Sequence, residues 1–405
     1  MPKLRGIDYL RRRLAQKRVR VLKRYVYYDM KNHAQDLSGV MPKQFDWLRP
    51  VLGWCARAAD SIADRIVFET FTDDGLGLNE IFDMNSKDVL CESAVSSALV
   101  CACSFIYIAK GEGGYPTMQA IDGSNATGII DPVTRMLNEG YAVLERDEHG
   151  TPMTEAYFTA GTTWVYLRGK KEPLRYDSPA PYALLVPFIH RPDPTRPFGR
   201  SRISRACMEL TDSALRTLRR SEVSAEFYSF PQKYVLGLDP EAVTPEKWAA
   251  TISSFLRYDK DSDGDHPVLG QFQQQSMSPY NDQLRTIASM FASETGLTLD
   301  DLGFSTANPT TPEAIRASHE SLRLSARKAQ RDFAVGFLNA GYLAACLRDG
   351  FGYDRSVLSQ TKVLYEPIFE PDAAQLTGMG DAVLKIQQSF PDYFDEGKLH
   401  KLTGL

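Results

Sequence analysis

Two hydrophobic periods divide the chain. From Ser104 to His190, apolar and polar residues follow the two-residue period of β-strands, in short runs separated by turn residues such as those at 111–114. In most of the remaining chain the apolar residues recur every three to four positions, which is the period of an amphipathic helix. The pattern therefore predicts an α+β fold in which an antiparallel β region is inserted between helices.

The boundaries of these elements follow from capping and turn residues. We predict helices over residues 43–69, 84–103, about 202–229, 278 to about 296, 312 to about 347, and about 372–389. We predict strands over residues 105–108, 141–145, 156–159, 163–167, 183–188, 232–237 and 361–365. The helix that begins at Pro312 would span about 50 Å at 1.5 Å per residue. One small globular domain cannot cover such a rod, so we expect it to cross an assembly.

A proline-rich segment joins the last strand of the β region to a helix. Pro192, Pro194 and Pro197 predict an extended exit, because proline fixes φ and keeps the preceding residue out of the helical region. Gly199 releases that constraint, and Ser201 is the predicted N-cap of the helix that follows.

This helix and the residues just before it are rich in arginine, mixed with glutamate. The arginines are Arg200, Arg202, Arg205, Arg216, Arg219 and Arg220. Basic side chains on a rigid helix can contact a phosphate backbone without reading its sequence. The alternative is that they form ion pairs between neighbouring subunits of a helical ring.

The net charge of −4 hides an uneven distribution along the 405 residues. The first 24 residues hold ten Lys or Arg, among them Arg11, Arg12 and Arg13, against the single acid Asp8. A basic arm on an acidic body suggests contact with nucleic acid or with an acidic partner. The arm could also be merely solvated, or it could clamp an acidic neighbouring subunit. The length alone predicts two or more structural units.

Catalytic and metal-binding patterns are weak in this sequence. The segment Asp259–Asp265, with Asp259 and Asp261, begins like a calcium loop, but Gly270 stands where the bidentate Glu belongs. A single loop is also a poor source of the ligands of two metal ions. The cysteine and histidine spacings fit neither a disulfide framework nor a zinc site, and they favour a reducing cytoplasm. We therefore expect no catalytic residue, no metal and no cofactor.

Membrane association is not indicated either. No run of about 18 apolar residues exists, and the basic N-terminus lacks the apolar core of a secretory signal. We expect no membrane partner.

Four segments, in their order along the chain, resemble portal proteins of tailed bacteriophages, especially those of phages with long non-contractile tails. They are Phe198–Ile203, Ala225–Tyr234, Glu294–Gly303 and Asn308–Ile315. The similarity spans roughly residues 40–390. It implies a portal-like α+β subunit with a strand-rich wing, a two-helix stem, a small α/β clip, a long helix and a helical crown.

The resemblance also implies a domain order. The segments would be a basic N-terminal arm (1–40), the wing (41–200), a stem helix (201–230), the clip (231–276), a returning stem helix (277–302), a tunnel loop (303–312), a long wing or crown-proximal helix (313–348) and a small crown with the C-terminal region (349–405). Channel-lining residues would be Ser305, Thr306, Asn308, Thr310 and Thr311, which are short, neutral and polar. Partner docking at the clip would involve Gln232, Lys233, Tyr234, Asp259 and Asp261.

The implied function is structural rather than enzymatic. Such a protein forms a dodecameric ring at one capsid vertex and is a conduit for DNA packaging and ejection. Its expected partners are further copies of itself, the major capsid protein, the terminase large subunit, a head–tail adaptor protein and double-stranded DNA without sequence specificity. It would be found in the virion, and in the host cytoplasm during assembly. The alternatives are another head–tail connector ring and a metal-dependent nuclease.

Overall fold

The computed structural model describes residues 4–34, 45–229, 233–236, 268–271, 276–304, 312–369 and 373–390. Helices in these ranges are α1 (Ile7–Tyr28), α2 (Trp54–Ala63), α3 (Leu78–Met84), α4 (Lys87–Cys101), α5 (Arg205–Ser229), α6 (Ser278–Thr295), α7 (Pro312–Ser318), α8 (Glu320–Asp349) and α9 (Ala373–Ser389). Strands are β1 (Phe68–Thr72), β2 (Cys103–Lys110), β3 (Pro116–Ile121), β4 (Ala126–Ile130), β5 (Leu137–Arg146), β6 (Pro152–Thr159), β7 (Thr162–Leu167), β8 (Leu174–Asp177), β9 (Leu185–Ile189), β10 (Lys233–Leu236), β11 (Val268–Gln271) and β12 (Lys362–Tyr365). The predicted mixed α+β architecture is confirmed.

The chain divides into two compact units. The first comprises Met1–Lys31, Gly53–Met208 and Ala292–Leu405, and the second comprises Asn32–Leu52 and Glu209–Phe291. The first holds a five-stranded antiparallel sheet in the order β4-β5-β6-β7-β8, a three-stranded sheet in the order β3-β2-β9, and the β1–β12 pair. The second holds the β10–β11 hairpin, most of α5 and most of α6.

The core of the first unit is built from aromatic side chains between helices and strands. Phe337 of α8 lies 4.9 Å from Phe188 of β9 and 5.0 Å from Phe68 of β1, measured between ring centroids. Gly336 lies directly against the Phe188 ring, where an added Cβ would crowd the ring atoms. The absence of a side chain at Gly336 thus lets the long helix approach the three-stranded sheet closely.

Three predicted boundaries were wrong. Residues 43–69 do not form one helix, since α2 ends at Ala63 and Phe68–Thr72 form β1, which pairs with β12. The long helix from Pro312 is divided at His319, whose Nε2 lies 3.3 Å from a carboxylate oxygen of Asp301. The first departure depends on a partner far away in the sequence, and the second coincides with a contact to the preceding segment; periodicity shows neither.

The third error concerns the start of α5. The N-cap is Ser204 rather than Ser201, because the Ser204 Oγ accepts a hydrogen bond of 3.1 Å from the backbone N–H of Cys207. Ser201 instead donates its hydroxyl to the carbonyl oxygen of Val100 at 2.6 Å. It therefore ties the junction to the end of α4.

Within the second unit, polar contacts link α5 to its neighbours. The hydroxyl oxygens of Ser224 and Tyr280 lie 2.8 Å apart, which joins α5 to α6. The Asn32 amide donates to the Asp212 carboxylate at 3.1 Å. The first contact joins the two long helices, and the second joins residue 32 to α5.

Candidate interface residues

The N-terminal basic segment is folded as a helix on the first unit. The buried carboxylate of Glu139 accepts hydrogen bonds from the backbone N–H groups of Arg5 and Gly6, at 2.7 and 2.9 Å, and from the Tyr157 hydroxyl at 2.9 Å. An acid at a helix N-terminus satisfies N–H groups that have no partner inside the helix. Leu10 and Leu14 then bury their side chains beside β5 and β6.

Several cations of α1 point towards the unit and are held there. Arg11 forms an ion pair of 2.6 Å with Glu155, whose other oxygen accepts from the Tyr141 hydroxyl. Burial is the main reason that the pKa of Tyr141 is raised, and the hydrogen bond to Glu155 raises it further. Lys17 Nζ donates to Cys103 Sγ at 3.0 Å. Arg11 and Lys17 therefore bind partners within their own chain.

The remaining two arginines of the triplet differ from each other. The guanidinium of Arg13 lies 5.3 Å from the centre of the Phe198 ring, in a cation–π contact with the junction. Arg12 is exposed. Of the three predicted contact residues, Arg12 is thus the one that faces away from the unit.

A compact turn forms the proline-rich junction. Both Nε and Nη2 of Arg200 donate to the Asp193 carboxylate, at 3.1 and 2.8 Å. Hydrogen bonds from Thr195, the larger cause, and from Arg200 hold the pKa of Asp193 well below its ordinary value. Gly199 adopts a positive φ of 72°, and an added Cβ would overlap the carbonyl oxygen of His190. Glycine is therefore required at this position.

His190 is buried at the centre of the junction. Its Nδ1 lies 2.7 Å from the carbonyl oxygen of Arg200, so Nδ1 carries the proton and donates. Its ring stacks on Phe333. Burial lowers the pKa of His190 to about 3, because a charged imidazolium would be deprived of water.

Arg202 is buried, with 6% of its surface exposed. Its Nε donates to the carbonyl oxygen of Ala58 at 3.1 Å, and its Nη2 donates to the carbonyl oxygen of Thr295. Burial lowers the pKa of Arg202 to about 10. This corrects its place among the contact candidates, since the guanidinium is engaged inside the first unit and is not presented to DNA or to another subunit.

The arginines of α5 itself are more accessible than Arg202. Arg205 is exposed, and Arg216 and Arg220 are partly exposed. Arg216 Nη2 donates to Ser213 at 2.8 Å, and Arg219 Nη2 donates to the carbonyl oxygen of Phe45 at 3.0 Å. A cavity of 300 Å³ in the second unit is lined by Arg216 and Arg219, together with His33, Asp46, Arg49 and other residues.

Several predicted site residues lie outside the described residues. They are the channel-lining set Ser305, Thr306, Asn308, Thr310 and Thr311, and the docking residues Gln232, Asp259 and Asp261. Lys233 and Tyr234 belong to β10, where they pair with Gln271 and Gly270 of β11.

Metal, cysteine and membrane features add little. Within the described ranges, no group of three or more His, Cys, Asp or Glu residues is placed to hold a metal ion. All six cysteines lie in the described residues, where they are buried and form no disulfide. Among the helices described, none is both long and apolar enough to cross a membrane.

Three important residues were missed at the sequence level. Glu139, Asp193 and His190 receive their roles from partners in other segments or from the turn itself. The sequence offered one usable signal, which is the Asp193-Pro-Thr-Arg196 turn with an arginine nearby at Arg200.

Comparisons with known proteins agree with the resemblance that the sequence motifs carry. No family model matches the chain. The portal protein of Mycobacterium phage D29 is 25% identical over 401 residues, covering 90% of this chain and 80% of the relative. The portal protein of Mycobacterium phage L5 is 24% identical over 390 residues, covering 88% and 79% respectively. The resemblance to portal proteins of tailed phages is confirmed.

Solved structures give weaker similarity. A chain in the neck of a native GTA particle, computed with C12 symmetry, aligns with a TM-score of 0.47 at 14% identity, covering 87% of this chain and 89% of that one. A chain in the virion of a native gene transfer agent particle aligns with a TM-score of 0.44 at 12% identity, covering 96% and 99%. The sequence similarity to the two phage proteins is the finding that bears on function.

Proposed function

We propose that this chain is a structural, non-enzymatic portal subunit at the head–tail connection of a tailed-phage virion. The observation that carries the proposal is collinear similarity to two portal proteins, over 90% and 88% of this chain. Because about four-fifths of each relative is also covered, the likeness supports a portal-like organisation of most of the chain rather than of one module.

The order of elements supports a portal-like division of the chain. The antiparallel sheets before the junction correspond to the wing, and α5 and α6 correspond to the two stem helices. The hairpin of β10 and β11 lies between these helices in sequence, where the clip is expected. Then α7 and α8 form the long crown-proximal segment, and α9 belongs to a small crown.

The assembled ring would act as a conduit for double-stranded DNA during packaging and ejection. Head-to-tail contacts generate a ring when the rotation between subunits closes, and the resemblance to portal proteins implies a ring of twelve. The terminase large subunit and later a head–tail adaptor would dock at the clip, and the major capsid protein would surround the wing. Arg205, Arg216 and Arg220 are the accessible stem cations for DNA or for neighbouring subunits.

Electron microscopy of the purified protein, with native mass spectrometry for its stoichiometry, tests the proposal. We expect rings of about twelve subunits around a central opening. Monomers and dimers at all concentrations, together with a divalent-metal-dependent nuclease activity abolished by D261A, would overturn it. Asp259→Ala and Asp261→Ala should leave ring assembly unchanged if the protein is structural.

A further inference from the structure

The outer face of α1 combines exposed apolar residues with cations. Val19, on this face, is 73% exposed, and Leu22 and Val26 are 40% and 39% exposed. Arg12 and Lys23 lie on the same face of the helix and are also exposed. We call Arg12, Val19, Leu22, Lys23 and Val26 the basic stripe. The opposite face of α1 is the one that packs on the first unit through Leu10, Leu14 and Val21.

A second exposed surface of the same unit has the opposite charge. Met84, at the end of α3, is 62% exposed, and Val89, in the first turn of α4, is 67% exposed. Asp83, Asp88 and Glu92 are close to them along the chain and are exposed; Asp83 pairs with Lys87 at 3.2 Å, so among the described residues Asp88 and Glu92 carry the unpaired negative charge of this surface. We call Asp83, Met84, Asp88, Val89 and Glu92 the acidic patch. The buried face of α4, with Leu90, Cys91 and Ala94, points away from it.

Exposed apolar side chains grouped beside charged ones have the composition that interaction surfaces use. A DNA backbone would use the cations of the basic stripe but offers no apolar surface for Val19, Leu22 and Val26. A protein partner with acidic and apolar side chains would use both. The acidic patch of this chain has that composition.

A ring needs two different surfaces on each subunit that fit each other, because its contacts are heterologous. We propose that the basic stripe of one copy docks on the acidic patch of the next copy in the ring. This inference rests on the proposed ring function and adds to it the residues that face each other between subunits. The apolar pairs Val19 and Leu22 against Met84 and Val89 supply contact area, and the charges select the partner and its orientation.

Two charge-reversal variants test this pairing. R12E/K23E makes the stripe acidic, and D88K/E92K makes the patch basic. Each variant alone places like charges across every interface, so we expect the subunit concentration at half assembly to rise by about tenfold or more. K170E/K171E and E148K/E172K change the same number of charges at exposed positions outside both surfaces and should assemble like the wild type.

Mixing the two variants gives the decisive measurement. In an alternating ring, the reversed stripe of one variant meets the reversed patch of the other, and the two unaltered surfaces also meet. Rings should therefore return in an equimolar mixture, with strictly alternating subunits and an even subunit number by native mass spectrometry. A variant that failed only because it was misfolded would not be rescued, and circular dichroism checks each variant for native helix content.

The outcomes separate the two proposals. Variants that still form rings as well as the wild type, or folded variants that fail to recover on mixing, would overturn the pairing while leaving the ring function in place. Loss of DNA binding by R12E/K23E with unchanged ring assembly would reassign the basic stripe to DNA and also overturn it. A wild-type protein that never forms rings would overturn the ring function and this pairing together.

Discussion

The arginines of α1 and those of the junction at residues 190–202 look alike in the sequence but differ in burial and in their partners. In α1 the cations divide between two faces, with Arg11 paired to Glu155 on the inside and Arg12 exposed outside. At the junction, Arg200 is bound by Asp193, and Arg202 is buried against two backbone carbonyls. The comparison teaches that a local count of positive charge does not identify a contact surface, because the fold can use the same residue type as an internal tie.

The largest effect is expected from Arg202→Ala. The change removes the donor to the carbonyl oxygens of Ala58 and Thr295 in a buried site. We expect a loss of about 3 kcal/mol in unfolding free energy, measured by urea denaturation.

Arg200→Ala is the matched control, because Arg200 is an exposed arginine of the same junction and pairs with Asp193. Exposed ion pairs contribute about 0–1 kcal/mol. Equal losses for the two variants would contradict the assignment of Arg202 as the internal tie.

The junction should also respond to acid through His190. Its pKa is about 3 in the folded chain against about 6.5 when unfolded, so only the unfolded state takes up a proton between these values. The neutral, buried His190 makes its full contribution to the unfolding free energy above pH 6.5. That free energy falls as the pH decreases towards 3, and the loss is about 2 kcal/mol at pH 5.

The His190→Gln variant removes this titration, although it lowers the stability at pH 7. The difference in unfolding free energy between wild type and variant should therefore shrink between pH 7 and pH 5. A difference that stays constant across this range would show that His190 does not titrate as the buried geometry requires.

The smallest effect is expected at the start of α1. Glu139→Gln replaces a carboxylate that accepts from Arg5, Gly6 and Tyr157 by an amide with only one oxygen acceptor. We expect a loss of about 1.5 kcal/mol, together with faster hydrogen exchange of the α1 backbone amides.

Glu145→Gln, at an exposed position of the same strand, is the control for the Glu139 variant. It should change neither the stability nor the exchange of α1. Unchanged exchange in Glu139→Gln would mean that the apolar contacts of Leu10 and Leu14 alone hold the helix.

The sequence was most informative where the structure depends on neighbouring residues. The strand-rich character of the region from Ser104 to His190 was predicted, and so were five of its strands, although β3, β4 and β8 were missed. The neighbours β5, β6 and β7 were found because they pair with strands adjacent along the chain. The prediction failed at Phe68–Thr72, since the partner of β1 is β12, about 290 residues away. A strand that depends on such a distant partner has no reliable local signal.

By itself, the sequence determined the mixed α+β class, the order of most elements and the resemblance to portal proteins, because periodicity, turn residues and motif order are all local properties of a chain. The tertiary structure alone decided which face of α1 is outside, that Arg202 is buried and that His190 is neutral. Burial and charge pairing depend on segments brought together by folding. The energy of a charged side chain therefore depends on all the groups that folding places around it and not only on its neighbours in sequence.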